Sequence, residues 1–420
     1  MFIIYNLVFL LFVLVNLPVY LFKGKFHKGF SARLGKLPKG LLLDRPIWVH
    51  AVSVGEAASV AGLITELRKL YPKKSFVIST VTPTGNQIAQ KIAKDTDLVT
   101  YLPFDLSWIV RSVIDRINPS LFIIAETELW PNLIRYLYKK NIPVIIVNGR
   151  ISDKSFKGYL GVSFLFKPTL EKIRMFCVQT DVDVLRFKAI GVSANKLKVT
   201  GNMKFDIAPK ASSEPAVASR SLLRLKSHEK LLIAASTHPG EEKIILEAYM
   251  GICATMSEVR LLIAPRHPER SHEIFGIIKK AGLESMRVSR VGIDDLKPGS
   301  PVFILDTIGQ LLNFYNIADV VFVGGSLIKK GGHNILEPAA FAKPIIFGPY
   351  MFNFRDITDL FLKHHAAVMV NDAQELQANI ELLLKDRQRS IELGEAAQKL
   401  IWHNQGATLR NAREISLLLI

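Results

Sequence analysis

The stretch from Gly324 to Pro349 has the clearest potential for chemistry in this chain. It follows an apolar run that predicts a buried strand, and two glycine pairs precede a predicted helix. Glycine-rich loops let backbone N–H groups approach a phosphate, and a helix N-terminus favours the anion. Asn334 is predicted to cap this helix, with Glu337 three residues later as in a capping box. A glutamate there can also accept hydrogen bonds from a ribose diol, so the stretch indicates a nucleotide-activated donor. Helix capping without any ligand remains the alternative.

Glu56 is the candidate general base. It closes the segment His50–Glu56, which ends the first predicted strand and opens a helix. A carboxylate at such a turn can remove a proton from an attacking hydroxyl group. The alternative is a glutamate favoured in the first helical turn by the helix dipole. That dipole would lower the pKa of Glu56, which would then be ionised but only a modest base.

Other polar clusters follow further predicted strands of the first half. Each one alone is typical of a turn. Parallel strands, however, bring their carboxyl ends to one edge of a sheet, where α/β proteins keep functional groups. The clusters are Thr80–Gly85, Ala125–Asn132 with Glu126 and Glu128, Asn148–Ser152, and Gly201–Asp206 with Lys204.

Arginine and histidine side chains follow strands in the second half. Arg266 and Arg270 could pair with a phosphate or carboxylate. His238, His267 and His333 fall in separate loops without the spacing of metal ligands. Hydrogen-bonding roles are therefore favoured over a metal site.

The elements that carry these residues alternate between apolar strands and amphipathic helices. This pattern predicts parallel sheets with helices on both faces. The Ala/Ser/Pro-rich segment 207–220 is predicted to be a linker. We therefore expect two Rossmann-like domains with a cleft between them, one over residues 23–206 and one over residues 221–420. The C-terminal helices could pack back on the N-terminal domain.

Composition and the N-terminus indicate where the protein works. Cys177 and Cys253 lack a C-x-x-C spacing, which is consistent with a reducing compartment. The net charge is +17, which suits acidic substrates or an anionic membrane. Residues 1–22 contain no charged side chain, and six lysines and arginines follow between Lys23 and Lys39. We expect residues 1–22 to be a membrane anchor helix with the remaining chain in the cytoplasm. A helix lying in the membrane interface is the alternative.

The ordered motifs of the chain resemble one family over nearly its whole length. The chain is similar to the 3-deoxy-D-manno-octulosonic acid (Kdo) transferases of lipopolysaccharide and lipid A synthesis. The motifs are HAVSVGE, TVTPTG, YLPFDL, AETELWPN, NGRIS, GNMKFD, STHPGEE, APRHPER, DTIGQLL, GGSLIKKGGHNILEPA and GPYMFNF.

The resemblance implies a glycosyltransferase-B fold and an inverting, metal-independent transfer of Kdo from CMP-Kdo to lipid IVA, on the cytoplasmic face of the inner membrane. No cofactor and no nucleic acid are expected. Glu56 matches the family's general base, and Glu126 and Lys204 match positions that support the transition state. The CMP-binding segments match Pro265, Arg266, Gly309, Gln310, Leu311, Asn334, Ile335, Leu336 and Glu337.

Two rival functions remain open at this point. One is a membrane-associated glycosyltransferase that uses a UDP-sugar, which titration with CMP against UDP would distinguish. The other is a basic, membrane-tethered protein that binds anionic lipid or nucleic acid without catalysis. Aromatic and basic residues are not interleaved as a nucleic-acid surface requires. Loss of turnover in a Glu56 variant with intact lipid binding would exclude this second rival.

Overall fold

The computed structural model describes residues 4–11, 13, 15, 29–38, 40, 43–209, 220–291 and 302–419. The chain divides into two compact units. The first unit comprises Met1–Ile207 with Asn404–Ile420, and the second comprises Ala208–His403. The C-terminal residues thus belong to the first unit, although they follow the whole of the second in sequence.

Each unit is built on a seven-stranded sheet in which the described neighbouring strands run parallel. The strands of the first sheet are β1 Ile47–His50, β2 Phe76–Thr80, β3 Leu98–Tyr101, β4 Leu121–Ala125, β5 Val144–Gly149, β6 Met175–Val178 and β7 Leu197–Val199. Those of the second are β8 Lys230–Thr237, β9 Val259–Pro265, β10 Ser285–Arg287, β11 Val302–Ile304, β12 Val320–Val323, β13 Ile345–Phe347 and β14 Val368–Met369.

Each sheet has one central switch point where the strand order reverses, and in the second sheet β11 also lies out of sequence between β10 and β9. The first sheet has the order β3-β2-β1-β4-β5-β6-β7, and the second has β10-β11-β9-β8-β12-β13-β14. The reversals fall between β1 and β4 and between β8 and β12. In doubly wound folds such a switch point opens a crevice beyond the carboxyl ends of the strands, where ligands bind.

Helices cover both faces of each sheet, because a parallel sheet with buried strands needs apolar cover on both sides. The helices are α1 (residues 4–11), α2 Phe30–Arg33, α3 Val54–Leu70, α4 Pro83–Ile92, α5 Ser107–Ile117, α6 Pro131–Lys139, α7 Asp153–Gly161, α8 Ser163–Leu170, α9 Asp181–Ala189, α10 Glu241–Thr255, α11 Ser271–Lys280, α12 Leu311–Tyr315, α13 Leu336–Ala340, α14 Arg355–Lys363, α15 Ala373–Lys385, α16 Arg387–Asn404 and α17 Ala407–Ser416.

The two ends of the first unit are held in different ways. Helix α17 buries Ala407, Ala412 and Ile415 in the core cluster beneath α3. Of the predicted anchor at residues 1–22, the described residues are 4–11, 13 and 15, all of them helical, and the others lie outside the description. Among the residues that the structure describes, no helix is both long and apolar enough to cross a membrane. Most of the predicted linker, residues 210–219, also lies outside the described residues.

Candidate active site

Glu56 lies at the β1–β4 switch point, in the first turn of α3. Ser53 caps this helix, and the Ser53 hydroxyl donates to Oε1 of Glu56 at 2.9 Å. The backbone N–H of Val52 donates to Oε2 at 2.8 Å. The carboxylate is thus fixed in one orientation by its own turn. Burial raises the pKa of Glu56, against the lowering effect of the Val52 hydrogen bond. The pKa is thus raised and not lowered as expected, because burial outweighs the hydrogen bonds that the turn donates.

Glu126 follows β4 directly and is held between two cations. Its backbone is left-handed, with φ 57°, which turns the chain sharply out of the strand. Lys204 Nζ lies 3.0 Å from Oε1, and Arg150 Nε lies 3.2 Å from Oε2. Burial alone would raise the pKa of Glu126, but Lys204 and Arg150 outweigh it and hold the pKa below its usual range. Glu126 is therefore an ionised, neutralised carboxylate, unsuited to accept a proton.

Lys204 owes its position to two polar contacts of the surrounding backbone. It sits in the 3₁₀ turn Met203–Ile207, whose first N–H donates to the buried Asn148 side chain at 3.0 Å. Asp206 in the same turn accepts from the N–H groups of Gly406 and Thr408, at 2.6 and 2.5 Å. The C-terminal helix α17 therefore helps to fix the lysine that pairs with Glu126.

Glu56, Glu126 and Arg150 line a small cleft of about 150 Å³. The sequence predicts no role for Glu128, but the structure brings it into this cleft. Burial, together with the charges of Glu56 and Glu126, raises the pKa of Glu128 to about 7. The lining residues are Glu56, Glu126, Thr127, Glu128, Arg150, Ile151, Ser152, Ser155 and Tyr159.

In the second unit, the first glycine pair does not offer its N–H groups to a ligand as predicted. The fully buried Glu241 accepts from the N–H groups of Gly325, Ser326 and Leu327, at 2.7, 3.0 and 3.0 Å. A protein carboxylate thus occupies the place expected for a phosphate. Glu241 lies 84 residues before Gly325, so no local pattern could have revealed the contact.

Two histidines meet over this loop at the β8–β12 switch point. Nε2 of His238 lies 2.8 Å from Nε2 of His333, and the rings are stacked with centroids 5.0 Å apart. Burial lowers the pKa of both imidazoles, that of His333 to about 4. A Cβ on Gly325, which has φ 68°, would lie 3.1 Å from the His333 ring and 3.4 Å from that of His238. The glycine is therefore required to let the pair form.

Arg266, His333 and Glu337 come together at the same edge. Arg266 follows β9, its side chain is exposed, and its charge acts on both His333 and Glu337. Burial raises the pKa of Glu337, against the lowering effects of the Asn334 hydrogen bond and Arg266. Among the described residues, no carboxylate lies within ion-pair distance of Arg266, so its guanidinium can receive an anion.

The predicted cap of α13 is wrong by one residue. The helix begins at Leu336, with Ile335 at the cap position and no side-chain cap bond. Asn334 instead accepts from the N–H of Leu336 at 3.1 Å and donates to Glu337 Oε1 at 3.2 Å. The two side chains pair with each other and do not form the reciprocal capping box, because the short helix starts too late.

Other predicted ligand residues have mixed outcomes. Gly309 and Gln310 lie at the start of α12, which packs against α13. Gly309 has a positive φ of 85°, a backbone conformation that favours glycine. Pro265 ends β9, and Leu311 is the first residue of α12. Arg270, in contrast, pairs with Glu242 at 2.7 Å and with Glu273 at 2.8 Å. Its expected phosphate contact is therefore replaced by two carboxylates.

Potential metal ligands do not cluster in the described part of the chain. There, no three His, Cys, Asp or Glu side chains come together as a metal ion would need. The expectation that the chain requires no metal stays a prediction.

The matches to known proteins cover residues of both units. Residues 28–207 match the family described as 3-deoxy-D-manno-octulosonic-acid transferase (kdotransferase). The 3-deoxy-D-manno-octulosonic acid transferase of Haemophilus influenzae is 36% identical over 366 residues, covering 87% of this chain and 85% of the relative. That of Rickettsia felis is 32% identical over 365 residues, covering 86% and 76%.

Among solved structures, a putative UDP-N-acetylglucosamine 2-epimerase from Listeria monocytogenes aligns with a TM-score of 0.57. The alignment covers 89% of this chain and 95% of the epimerase. The sequences are 13% identical, so the similarity concerns the fold alone. The two units with parallel sheets form a glycosyltransferase-B-like α/β fold. With the identity and coverage of its relatives, the chain belongs to the 3-deoxy-D-manno-octulosonic acid transferase family.

Proposed function

We propose that the protein transfers Kdo from CMP-Kdo to lipid IVA with inversion, and that Glu56 is the general base. The observation that carries the proposal is the pair of carboxylates at the β1–β4 switch point. Glu56 has a raised pKa and no cation of the described residues within ion-pair distance. Glu126 is neutralised by Lys204 and Arg150. Environments that push two titratable groups apart in this way assign their roles as proton acceptor and fixed charge.

The chemistry needs one proton acceptor on the side of the acceptor sugar. The attacking hydroxyl of lipid IVA gives its proton to Glu56 as its oxygen bonds to the anomeric carbon of Kdo. The bond from that carbon to the CMP phosphate oxygen breaks, and CMP leaves with the electron pair. Ionised Glu126 stabilises the positive charge that develops on the sugar ring, while Lys204 balances the carboxylate and can meet the carboxylate of Kdo.

The donor would be held by the second unit. Arg266, which has no carboxylate partner among the described residues, offers its guanidinium to the CMP phosphate, and Glu337 offers its carboxylate to the ribose diol. Pro265, the helix start at Gly309–Leu311 and the turn Asn334–Leu336 would complete the nucleotide site. A protein cation on the leaving phosphate can do what a metal ion does in other transferases, which is the reason to expect no metal requirement.

The membrane is the natural location for this reaction because lipid IVA does not diffuse freely in water. The net charge of +17 suits both the bisphosphorylated acceptor and the anionic leaflet. We propose attachment to the cytoplasmic face of the inner membrane through the N-terminal segment.

The decisive test is the mass of the product. Purified protein with lipid IVA and CMP-Kdo should give a product heavier by one or more Kdo units, and addition of EDTA should not stop the reaction. Glu56→Gln should lower the rate of transfer by about 10²- to 10⁴-fold. Glu66→Gln, on the same helix and paired at the surface with Lys69, should not. A product from a UDP-sugar instead, or transfer by Glu56→Gln at the normal rate, would overturn the proposal.

A further inference from the structure

Helix α1 has its polar side turned inward. Tyr5 Oη donates to Oδ2 of Asp105 at 2.9 Å, and the Asn6 amide donates to Ser107 Oγ at 2.7 Å. Oδ1 of Asn6 accepts from the Ser107 N–H at 3.1 Å and from the Asn132 amide at 2.9 Å. Asp105 and Asn132 are themselves buried. We call these five residues the latch. The latch uses both strongly polar side chains of α1, so hydrogen bonds hold this helix against the first unit.

Apolar side chains face outward on the same helix. They recur at the spacing of one helical face, and each is between 60% and 66% exposed. A surface helix of a soluble protein has the opposite arrangement, with its apolar face on the core. Five large apolar side chains in one stripe require a cover. The stripe consists of Ile4, Leu7, Val8, Leu11 and Val15.

The charge of the chain identifies that cover as an anionic lipid surface. Five lysines, from Lys23 to Lys39, follow the uncharged segment directly, whereas Arg33 in the same stretch is buried. Trp108, next to the latch residue Ser107, is 57% exposed, and tryptophan is enriched at the membrane–water interface. A second copy of a chain with net charge +17 would be repelled, whereas an anionic leaflet attracts it.

The contacts of α1 also fix its direction. Phe9, Leu10 and Val13 pack against the core cluster of the first unit, so contacts run from Tyr5 to Val13, roughly 12 Å of helix. A helix crossing the bilayer would carry the buried polar groups of the latch into hydrocarbon, which is costly. We propose that α1 is an interfacial helix, latched through Tyr5 and Asn6, which lays its apolar stripe on an anionic bilayer without crossing it.

The latch also reaches the candidate acceptor site. Asp105 accepts from the N–H groups of Asn132 and Leu133, at 3.0 and 2.8 Å, and so caps the N-terminus of α6. The chain enters α6 directly from the loop that carries Glu126 and Glu128. One carboxylate therefore joins the membrane helix to the helix that supports this loop.

Vesicle binding tests the stripe. The full chain is sedimented with vesicles of phosphatidylcholine containing 30% phosphatidylglycerol. Leu7→Ser with Leu11→Ser should lower the partition coefficient roughly 100-fold, because each leucine loses its transfer out of water. The control is Leu409→Ser on α17, where the leucine is 60% exposed; it should bind normally. Unchanged binding by the double variant overturns the proposal, as does a dimer of the lipid-free protein that only this variant dissociates.

Depth measurements decide between lying and crossing. Bimane is attached to the new cysteine of Ile4→Cys or Val15→Cys. Both variants also carry Cys253→Ala, and the remaining Cys177 is buried. The protein is reconstituted from detergent into lipids brominated at shallow or deep acyl carbons. A lying helix gives equal depths for the two probes, whereas a crossing helix separates them by about 16 Å. Unequal depths of that size overturn the proposal.

Hydrogen exchange tests the latch itself. In the lipid-free protein, Tyr5→Phe with Asn6→Ala should speed amide exchange in residues 4–11 about tenfold or more, because the docked helix is released. Exchange in α17 should not change. Equal exchange in variant and wild type would show that the polar contacts do not hold the helix. These tests use no sugar substrate, so their outcome is independent of the proposed transfer reaction.

Discussion

At the β1–β4 switch of the first unit, three carboxylates share a small cleft with Arg150, and Lys204 pairs with one of them, Glu126. At the β8–β12 switch of the second, the carboxylate of Glu241 is sealed beneath the loop. There, Arg266 and two imidazoles provide the polar groups above it. Under the proposed function, two similar doubly wound sheets carry a proton-accepting edge in one unit and an anion-accepting edge in the other. The difference lies in the loops and not in the sheets, since the central strands of both sheets are buried and largely apolar.

The largest effect should come from the proton-accepting edge. Glu56→Gln is expected to reduce kcat by about 10²- to 10⁴-fold, because the attacking hydroxyl loses its general base. CMP affinity, measured by isothermal titration, should stay within a factor of two if the two edges work separately. A variant with near-normal kcat would remove Glu56 from its role. A large loss of CMP affinity would mean that the two edges are not independent.

Removing the cation that balances Glu126 should have the next largest effect. Lys204→Met is expected to lower kcat by about 10²-fold, through loss of a fixed charge at the site of reaction. The pKa of Glu126, now held below its usual range, should rise. The exposed Lys198→Met in the same unit is the matched control. Equal rates in the two variants would mean that Lys204 has no special role in turnover.

A substitution at the anion-accepting edge should change CMP affinity and not the stability of the fold. Glu337→Gln is expected to weaken CMP binding about tenfold or more, because a charge-assisted hydrogen bond to the ribose is lost. The Asn334–Glu337 pair could instead be purely structural. In that case, thermal melting would show a lower Tm with unchanged CMP affinity, and Glu337 would leave the proposed site.

The last prediction concerns the stability of the first unit as a function of pH. The pKa of Glu128 is raised to about 7 by burial and the charges of Glu56 and Glu126. Between pH 4.5 and 7 the folded protein therefore binds a proton that the unfolded chain has lost, and stability falls as pH rises. Glu128→Gln should leave a variant that is more stable than wild type at pH 8, by up to about 3 kcal/mol. Urea unfolding at pH 4 and pH 8 measures this, and an equal difference at both values would contradict the raised pKa.

Much of the fold could be predicted because buried parallel strands are short apolar runs with polar turns after them. The exceptions are the edge strands β7 and β10, where Leu197–Val199 and Ser285–Arg287 have mixed composition. An edge strand has a neighbour on one side only and needs less apolar surface. The sequence pattern therefore does not distinguish β7 and β10 from loops.

The site could be predicted only as far as residue types and strand ends allow. Glu56 and Glu126 could be predicted as site residues, because each follows a strand that the apolar pattern predicts. Contacts between distant segments were not found, such as Glu241 with Gly325 or Arg270 with Glu242. These depend on how loops from different strands meet, and neither propensity nor spacing records that.

The return of the C-terminal helix to the first unit has a consequence for synthesis. Helix α17 covers the core beneath α3, and its first turn binds Asp206. The ribosome makes this helix only after the 196 residues of Ala208–His403, roughly 10 to 40 s later at ordinary elongation rates. During that time the nascent first unit has an uncovered apolar face. The turn that carries Lys204 also lacks the hydrogen bonds between Asp206 and the start of α17. The domain made first is thus completed last, and a chain released before its final helix cannot finish the domain that holds the candidate base.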